Sequence, residues 1–281
     1  MKTSDLKSFS YLENGQIIFS EYQTIKSTNT LDSGTYKIEY VELYGGNSHV
    51  SVNVDTDIEN FKVFSYPDKE KIDNIFDSFF NEEYSNKIMN LGFYHKLGIL
   101  LHGTEGTGKS SIIKSYCNRA IKENNAIVFY MLCNNSNITK CWDFILNIRT
   151  IQNNPIIIVF DEFDEQMKYN EAFLKTVIDG NMSINNCIFF ASTNYLDKIP
   201  KAMCERPSRF KYSLNIDVID NVVDILEIVK PILKNSFTDL ELEEMSDGLK
   251  GNTLDYIKQY CLDKLMNITH YGKNKKTIGF N

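Results

Sequence analysis

Gly103-Thr104-Glu105-Gly106-Thr107-Gly108-Lys109-Ser110 fits the phosphate-binding pattern G-x-x-x-x-G-K-[ST] at every fixed position. Ahead of it, Leu97-Gly98-Ile99-Leu100-Leu101-His102 is a short apolar run that predicts a buried parallel strand. After it, Ser111-Ile112-Ile113-Lys114-Ser115-Tyr116-Cys117 carries apolar residues at helical spacing. Strand, glycine loop and helix are the setting this motif needs. Gly103, Gly106 and Gly108 can adopt backbone angles closed to residues with a Cβ, so that successive N–H groups turn inward around a phosphate. The helix N-terminus that follows favours an anion through its unpaired N–H groups and dipole. Lys109 is placed to reach the β- and γ-phosphates, and the Ser110 hydroxyl to ligate Mg²⁺.

A second stretch completes the chemistry. Pro155-Ile156-Ile157-Ile158-Val159-Phe160 is a continuous, β-branched apolar run too short for a typical helix, so it predicts a central strand buried on both faces. It ends in Asp161-Glu162-Phe163-Asp164. Carboxylates at the C-terminal end of a parallel strand sit at the ligand crevice of an open α/β sheet. There Asp161 would hold Mg²⁺ and Glu162 would orient and polarise an attacking water, the positioning that phosphoryl transfer asks of a protein. A third apolar strand, Cys187–Thr193, ends at Asn194, whose amide can hydrogen-bond a γ-phosphate or the water; an ordinary turn Asn is the plainer alternative.

These segments resemble the AAA clade of the AAA+ ATPases. Gly106–Ser110, Asp161–Asp164 and Thr193-Asn194 match that family's two Walker motifs and first sensor. Ile199-Pro200-Lys201-Ala202-Met203-Cys204-Glu205-Arg206-Pro207-Ser208-Arg209-Phe210 resembles its second region of homology. The resemblance covers about residues 68–265. It implies an α/β P-loop sheet sandwiched by helices, a C-terminal helical lid, Mg-dependent ATP hydrolysis and a ring, hexameric or heptameric, of like subunits. It also implies that Arg206 and Arg209 act in trans on the neighbouring subunit's γ-phosphate. The nucleotide-binding set it implies is Gly103, Thr104, Glu105, Gly106, Thr107, Gly108, Lys109, Ser110 and Ser111, with Glu162, Asn194, Arg206 and Arg209 catalytic and Ser110 and Asp161 on the metal. Thr104-Glu105 stands where the family usually has Pro-Pro, and Ser208 where it usually has Gly. Clamp-loader subunits are similar at Pro207–Phe210, but the earlier Arg206 favours the AAA clade. Within that clade the chain resembles the type of the mitochondrial translocase of the folded Rieske protein, at Lys71–Phe80 and Gly108–Ser111 and in the short spacing from Ile138 to Pro155. It departs from that type in showing no apolar run long enough for a membrane anchor. The aromatic-apolar-Gly pore loop of protein-threading members is also absent. Trp142 lies near the equivalent place, as core packing or as a pore residue.

Composition suits a soluble globular protein, with 42% hydrophobic and 24% charged residues. The N-terminus lacks an apolar signal core. Six cysteines without C-x-x-C pairing and four scattered histidines suggest reduced thiols, a cytoplasmic setting and no metal cluster of Cys or His. Residues 1–66 predict a small β-rich partner-binding domain, with strands at Tyr36–Tyr44 and His49–Val54 around a Gly45–Ser48 turn and another near Gln16–Phe19. Residues 67–216 predict the ATPase α/β portion, 217–268 the helical lid and 269–281 a basic tail. Two functions follow: a ring ATPase that remodels, disassembles or translocates a protein, or a nucleic-acid motor or loader. A net charge of −7 argues mildly against the second.

Overall fold

The computed structural model describes residues 7–11, 17–21, 24–28, 30–42, 48–55, 66, 68–132, 138–179 and 182–266. Five strands come first: β1 (Lys7–Tyr11), β2 (Ile17–Glu21), β3 (Thr24–Thr28), β4 (Gly34–Glu42) and β5 (Ser48–Val54). Helices α1 (Lys69–Phe79) and α2 (Glu82–Asn90) lead into an alternation of strand and helix. This runs β6 (Lys96–His102), α3 (Lys109–Asn124), β7 (Ile127–Met131), α4 (Ile138–Ile151), β8 (Ile156–Phe160), α5 (Phe163–Asp179) and β9 (Cys187–Thr193). A 3₁₀ turn (Leu196–Lys198), the short helix α6 (Lys201–Cys204) and strand β10 (Tyr212–Asn215) follow. Last come α7 (Val222–Leu233), α8 (Asp239–Gly248) and α9 (Leu254–Leu265).

The chain divides into two units. One holds residues 1–63, 68–103 and 109–216; the other holds 64–67, 104–108 and 217–281. In the first, the described strands form one sheet in the order β10-β6-β9-β8-β7-β4-β5-β1-β2-β3. From β10 to β4 every pairing is parallel, and from β4 onward every pairing is antiparallel. The expected strands ending at Phe160 and Thr193 are present: β8 and β9 are buried at every residue, as strands covered on both faces must be, and β7, which the sequence reading did not single out, is buried throughout as well.

The N-terminal strands depart from the expected separate domain. Their β character is present, but β4 pairs in parallel with β7 from Gly34↔Ile127 to Ile38↔Met131, so they extend the ATPase sheet. The alternation of Tyr36 and Ile38, with Val50 and Val52 on β5, buries an apolar face in the same core as Phe129, Trp142 and Phe144. The Tyr36 and Phe129 rings lie 5.9 Å apart. Period-two alternation reveals that one face is covered, not what covers it. The Gly45–Asn47 part of the expected turn lies outside the described residues, and Ser48 is paired with Glu42. Trp142 is fully buried, donates from Nε1 to the Met182 carbonyl at 3.1 Å and stacks on Phe189, which makes it core.

In the second unit α7, α8 and α9 pack around Ile225, Ile228, Val229, Leu242 and Ile257. Thr238 and Glu241 form a reciprocal capping box on α8, and Thr253 caps α9. Among the described residues, no helix is long and apolar enough to cross a membrane.

Gly98 in the middle of β6 is a packing requirement. A Cβ there would lie 2.0 Å from the Arg209 carbonyl oxygen and 3.1 Å from Phe210 Cα, so only glycine lets that backbone lie on the strand. Gly98→Ala is expected to lower the unfolding free energy by about 1–3 kcal/mol, read from urea denaturation of the full chain.

His95 supplies a pH dependence. It is buried, stacks on the Phe79 ring at 4.1 Å, and burial holds its pKa below the ordinary 6.5, partly opposed by a hydrogen bond to the Phe79 backbone. His102 is shifted the same way, by burial and then by Lys109. The unfolded chain therefore binds protons first as pH falls, so the stability these groups contribute is present above pH 6.5 and is lost as pH drops toward their folded-state values. Unfolding free energy measured from pH 7.5 down to 5.5 should decline, and His95→Phe should shallow that decline; an unchanged slope would rule out His95 as a source.

Candidate nucleotide site

The first unit brings three strand ends together. β6, β9 and β8 are parallel neighbours, with His102 level with Thr193 and Phe160 level with Ala191. Gly103, Asn194 and Asp161 therefore follow adjacent strands at one C-terminal edge, the ligand-binding edge of an open parallel sheet. The register also sets Ser192 beside Asp161. The Ser192 hydroxyl donates to Asp161 Oδ1, and the Ser110 hydroxyl donates to the same oxygen at 3.1 Å. Sequence reasoning missed Ser192. Its signal was a polar Ser-Thr pair closing an otherwise apolar strand.

Lys109 opens α3. It is buried to 6% exposure and its Nζ donates to the Gly103 carbonyl at 2.8 Å, bridging the two ends of the loop. Gly103 has φ 137°, and a Cβ there would meet the Ile216 carbonyl oxygen at 2.2 Å. That closeness accompanies a 2.7 Å hydrogen bond from the Ile216 N–H to the His102 carbonyl. Ser110 is exposed and Ser111 half-buried on the first turn of α3. Glu162 is exposed and has φ 50°, a left-handed conformation costly for a residue with a Cβ. Its carbonyl accepts from the Glu165 N–H at 2.9 Å, so the strained residue also anchors the first turn of α5.

The loop tip, Thr104–Gly108, belongs to the second unit. Thr104 and Glu105 are exposed, and the Thr107 hydroxyl closes the turn by donating to the Thr104 carbonyl at 2.8 Å. Gly106 and Gly108 have φ 78° and 90°. The Asp255 N–H donates to the Gly106 carbonyl at 3.0 Å, and a Cβ on Gly108 would strike Leu254 Cδ2 at 2.6 Å. The first residues of α9 are thus fitted to a loop that tolerates only glycine at these points.

A fit to ATP with Mg²⁺ rests on donor chemistry. Ser110 and Asp161 present a hydroxyl and a carboxylate side by side, the hard oxygen set that Mg²⁺ takes. Lys109, its charge at the base of the loop, complements a polyphosphate.

Arg206 and Arg209 stand elsewhere, at the far end of α5, and the structure separates them. Arg209 is 8% exposed; it donates to the Ala202 carbonyl at 2.9 Å, and its Nε lies 3.4 Å from Asp179 Oδ2. The Arg206 side chain is 60% exposed and approaches the same oxygen only at 4.0 Å. Lys96 completes the group, 3.9 Å from Asp179 Oδ1 and donating to the Ile178 carbonyl at 2.6 Å. Burial lowers its pKa, with Asp179 opposing. Three cations thus share one carboxylate at a helix C-terminus, where the helix dipole also favours positive charge. A trans-acting role for Arg209 conflicts with these contacts, because its guanidinium is buried among partners of its own chain.

Residues 99–218 match the model of the ATPase family associated with various cellular activities (AAA). Among curated proteins, the chain is 28% identical over 180 residues to Protein CdcH of Halobacterium salinarum, covering 57% of this chain and 23% of that one. It is 27% identical over 172 residues to the ATPase family gene 2 protein of Schizosaccharomyces pombe, covering 53% and 20%. Against the vesicular-fusion protein SEC18 of Candida albicans it is 24% identical over 225 residues, covering 68% and 28%. The matched stretch spans under a third of each relative's length. The family match contains the strand ends, the Asp161 carboxylate with its two serines and the arginine pair, and the region from Ile99 to Val218 is an AAA ATPase domain.

Proposed function

We propose that the chain hydrolyses ATP with Mg²⁺ at a site completed by a neighbouring copy, and that the cycle remodels, disassembles or translocates a protein. The observation that carries the hydrolytic part is the Ser110–Asp161–Ser192 arrangement, with Glu162 exposed beside it. Residues 103–111 would hold the phosphates, with Lys109 on the β- and γ-oxygens, and Ser110 and Asp161 would hold the metal. Bound Mg²⁺ supplies charge neutralisation on the phosphate oxygens. Glu162 orients and polarises the water, and Asn194 fixes it from the next strand end.

Helix length supports completion in trans. α5 spans 17 residues between Glu162 and the arginine cluster. At 1.5 Å per residue a straight helix of this length spans roughly 25 Å; the break at Asn170 shortens it, but the cluster held at Asp179 still stands at the opposite end of α5 from the carboxylates before Phe163. Arg206, exposed within an excess of positive charge, is the arginine suited to a neighbour's phosphate, and Arg209 holds the segment that presents it. A ring of six or seven copies meets this need. A protein substrate is supported by the vesicular-fusion name of one relative and by the antiparallel strands β5, β1, β2 and β3, which offer a recruiting edge beyond the parallel sheet. The cysteines among the described residues are free thiols, in keeping with a reducing compartment such as the cytoplasm.

Glu162→Gln is expected to keep ATP binding while lowering turnover on the order of 10²–10⁴-fold, measured by phosphate release. Affinity capture with that variant and ATP then tests the substrate: a dominant protein supports the proposal, and DNA or RNA would overturn the protein-remodelling part. Arg206→Ala should lower turnover on the order of 10³-fold or more without a change in melting temperature. Mixing it with Glu162→Gln should restore activity, because each variant supplies what the other lacks; failure to complement would sink the trans assignment. Arg209→Ala should instead destabilise the fold by about 1–3 kcal/mol.

A further inference from the structure

We propose that Asp164 is a positioning residue for Asn194, acting through Thr193 and Lys198 to fix the turn that carries the Asn194 amide. The proposal rests on the hydrolytic reading above and adds a part that the motif reading leaves without a role. Asp164 is the last residue of Asp161–Asp164 and lies in the first turn of α5 at 4% exposure. A carboxylate that deeply buried requires partners, and it has two across the strand end. The Thr193 hydroxyl donates to Oδ1 at 2.7 Å, and Lys198 Nζ lies 3.8 Å from Oδ2.

These partners flank Asn194 on both sides. Thr193 is 2% exposed and is the last residue of β9; its Oγ1 also accepts the Tyr195 N–H at 3.0 Å, which closes the backbone around Asn194. Lys198 ends the 3₁₀ turn that follows, and its ammonium sits 3.5 Å from the centre of the Tyr195 ring. One carboxylate therefore holds the residue before Asn194 by a hydrogen bond and the turn after it by charge. Asn194 itself is exposed at the strand end, so its placement comes from these neighbours. Glu162, the residue immediately before α5, lies two positions before Asp164. Asp164 thus sets the spacing between the residue that polarises the water and the amide that steadies it. Because a displacement near 1 Å at a reacting group can cost on the order of 10²-fold in rate, such a brace matters without touching substrate.

The test uses the full chain carrying Asp164→Asn, Thr193→Val, which keeps shape and loses the hydroxyl, and Thr193→Ser, which keeps the hydroxyl. With wild-type turnover in hand, Asp164→Asn and Thr193→Val are expected to lower kcat on the order of 10- to 100-fold with KM little changed and the chain still folded at the assay temperature, and Thr193→Ser to recover most of the rate. In an Asn194→Ala background, Asp164→Asn should add little further loss, because both changes act on one group. Additive losses, an equal fall in binding, or a wild-type rate in Thr193→Val would overturn the proposal. Hydrogen exchange at the Tyr195 amide, measured without nucleotide, reads the brace independently of hydrolysis. Its protection should fall on the order of tenfold in Thr193→Val and Asp164→Asn, while β9 stays protected. Unchanged protection refutes the brace, whereas a silent wild-type enzyme with the expected exchange pattern refutes only the hydrolytic reading.

Discussion

The organisation of the site depends on Asp161 Oδ1, which accepts hydrogen bonds from the hydroxyls of both Ser110 and Ser192. Those donors come from a helix start and a neighbouring strand end, so one carboxylate ties β8, β9 and α3 together at the crevice. Asp161 is open to solvent, so these hydrogen bonds set geometry at the end of the sheet more than they add stability. The parallel pairing of Phe160 with Ala191 makes the arrangement possible. A slip of one residue would turn Asp161 to the opposite face of the sheet and separate it from both serines.

α5 extends this constraint. It follows directly on Glu162, a residue with positive φ, carries Asp164 in its first turn and ends at Asp179 among three cations. Acidic residues stand at its N-terminal end and cations gather at its C-terminal end, the distribution its dipole favours. Asn170 breaks the helical geometry midway, at φ −130°. The two charged ends are thus fixed by separate contacts, each with a buried member: Asp164 against Thr193, and Arg209 against Asp179.

Much of this was legible in the amino-acid order because it depends on local chemistry. The phosphate loop needs glycine at Gly106 and Gly108 for reasons that hold in any fold, and both have positive φ. Pro155–Phe160 and Cys187–Thr193 announced buried strands because burial on both faces leaves no polar alternation to confuse the reading. The partner of β4 was not legible. Tyr36 and Ile38 alternate as any half-buried strand does, and whether they meet a separate sandwich or the edge of β7 depends on contacts distant in sequence. The unequal fates of Arg206 and Arg209 were hidden for the same reason. They belong to one short motif, yet the backbone of Arg209 lies against Gly98, which is far away in the chain and lacks the Cβ that would push it off the strand.

That dependence on Gly98 bears on how a two-arginine motif works. An arginine aimed at a neighbour's phosphate must stay exposed, so it cannot also anchor its own backbone by burial. In the proposed arrangement a second arginine resolves the conflict: Arg209 takes the buried contacts with Asp179 and the Ala202 carbonyl, while the exposed Arg206 guanidinium approaches Asp179 only at 4.0 Å. The guanidinium suits the buried role because its planar fork can hold a carbonyl and a carboxylate at once and keeps its charge when desolvated. A lysine at 209 would keep the charge but lose the fork, so rigidity of the exposed arginine depends on the identity of the hidden one.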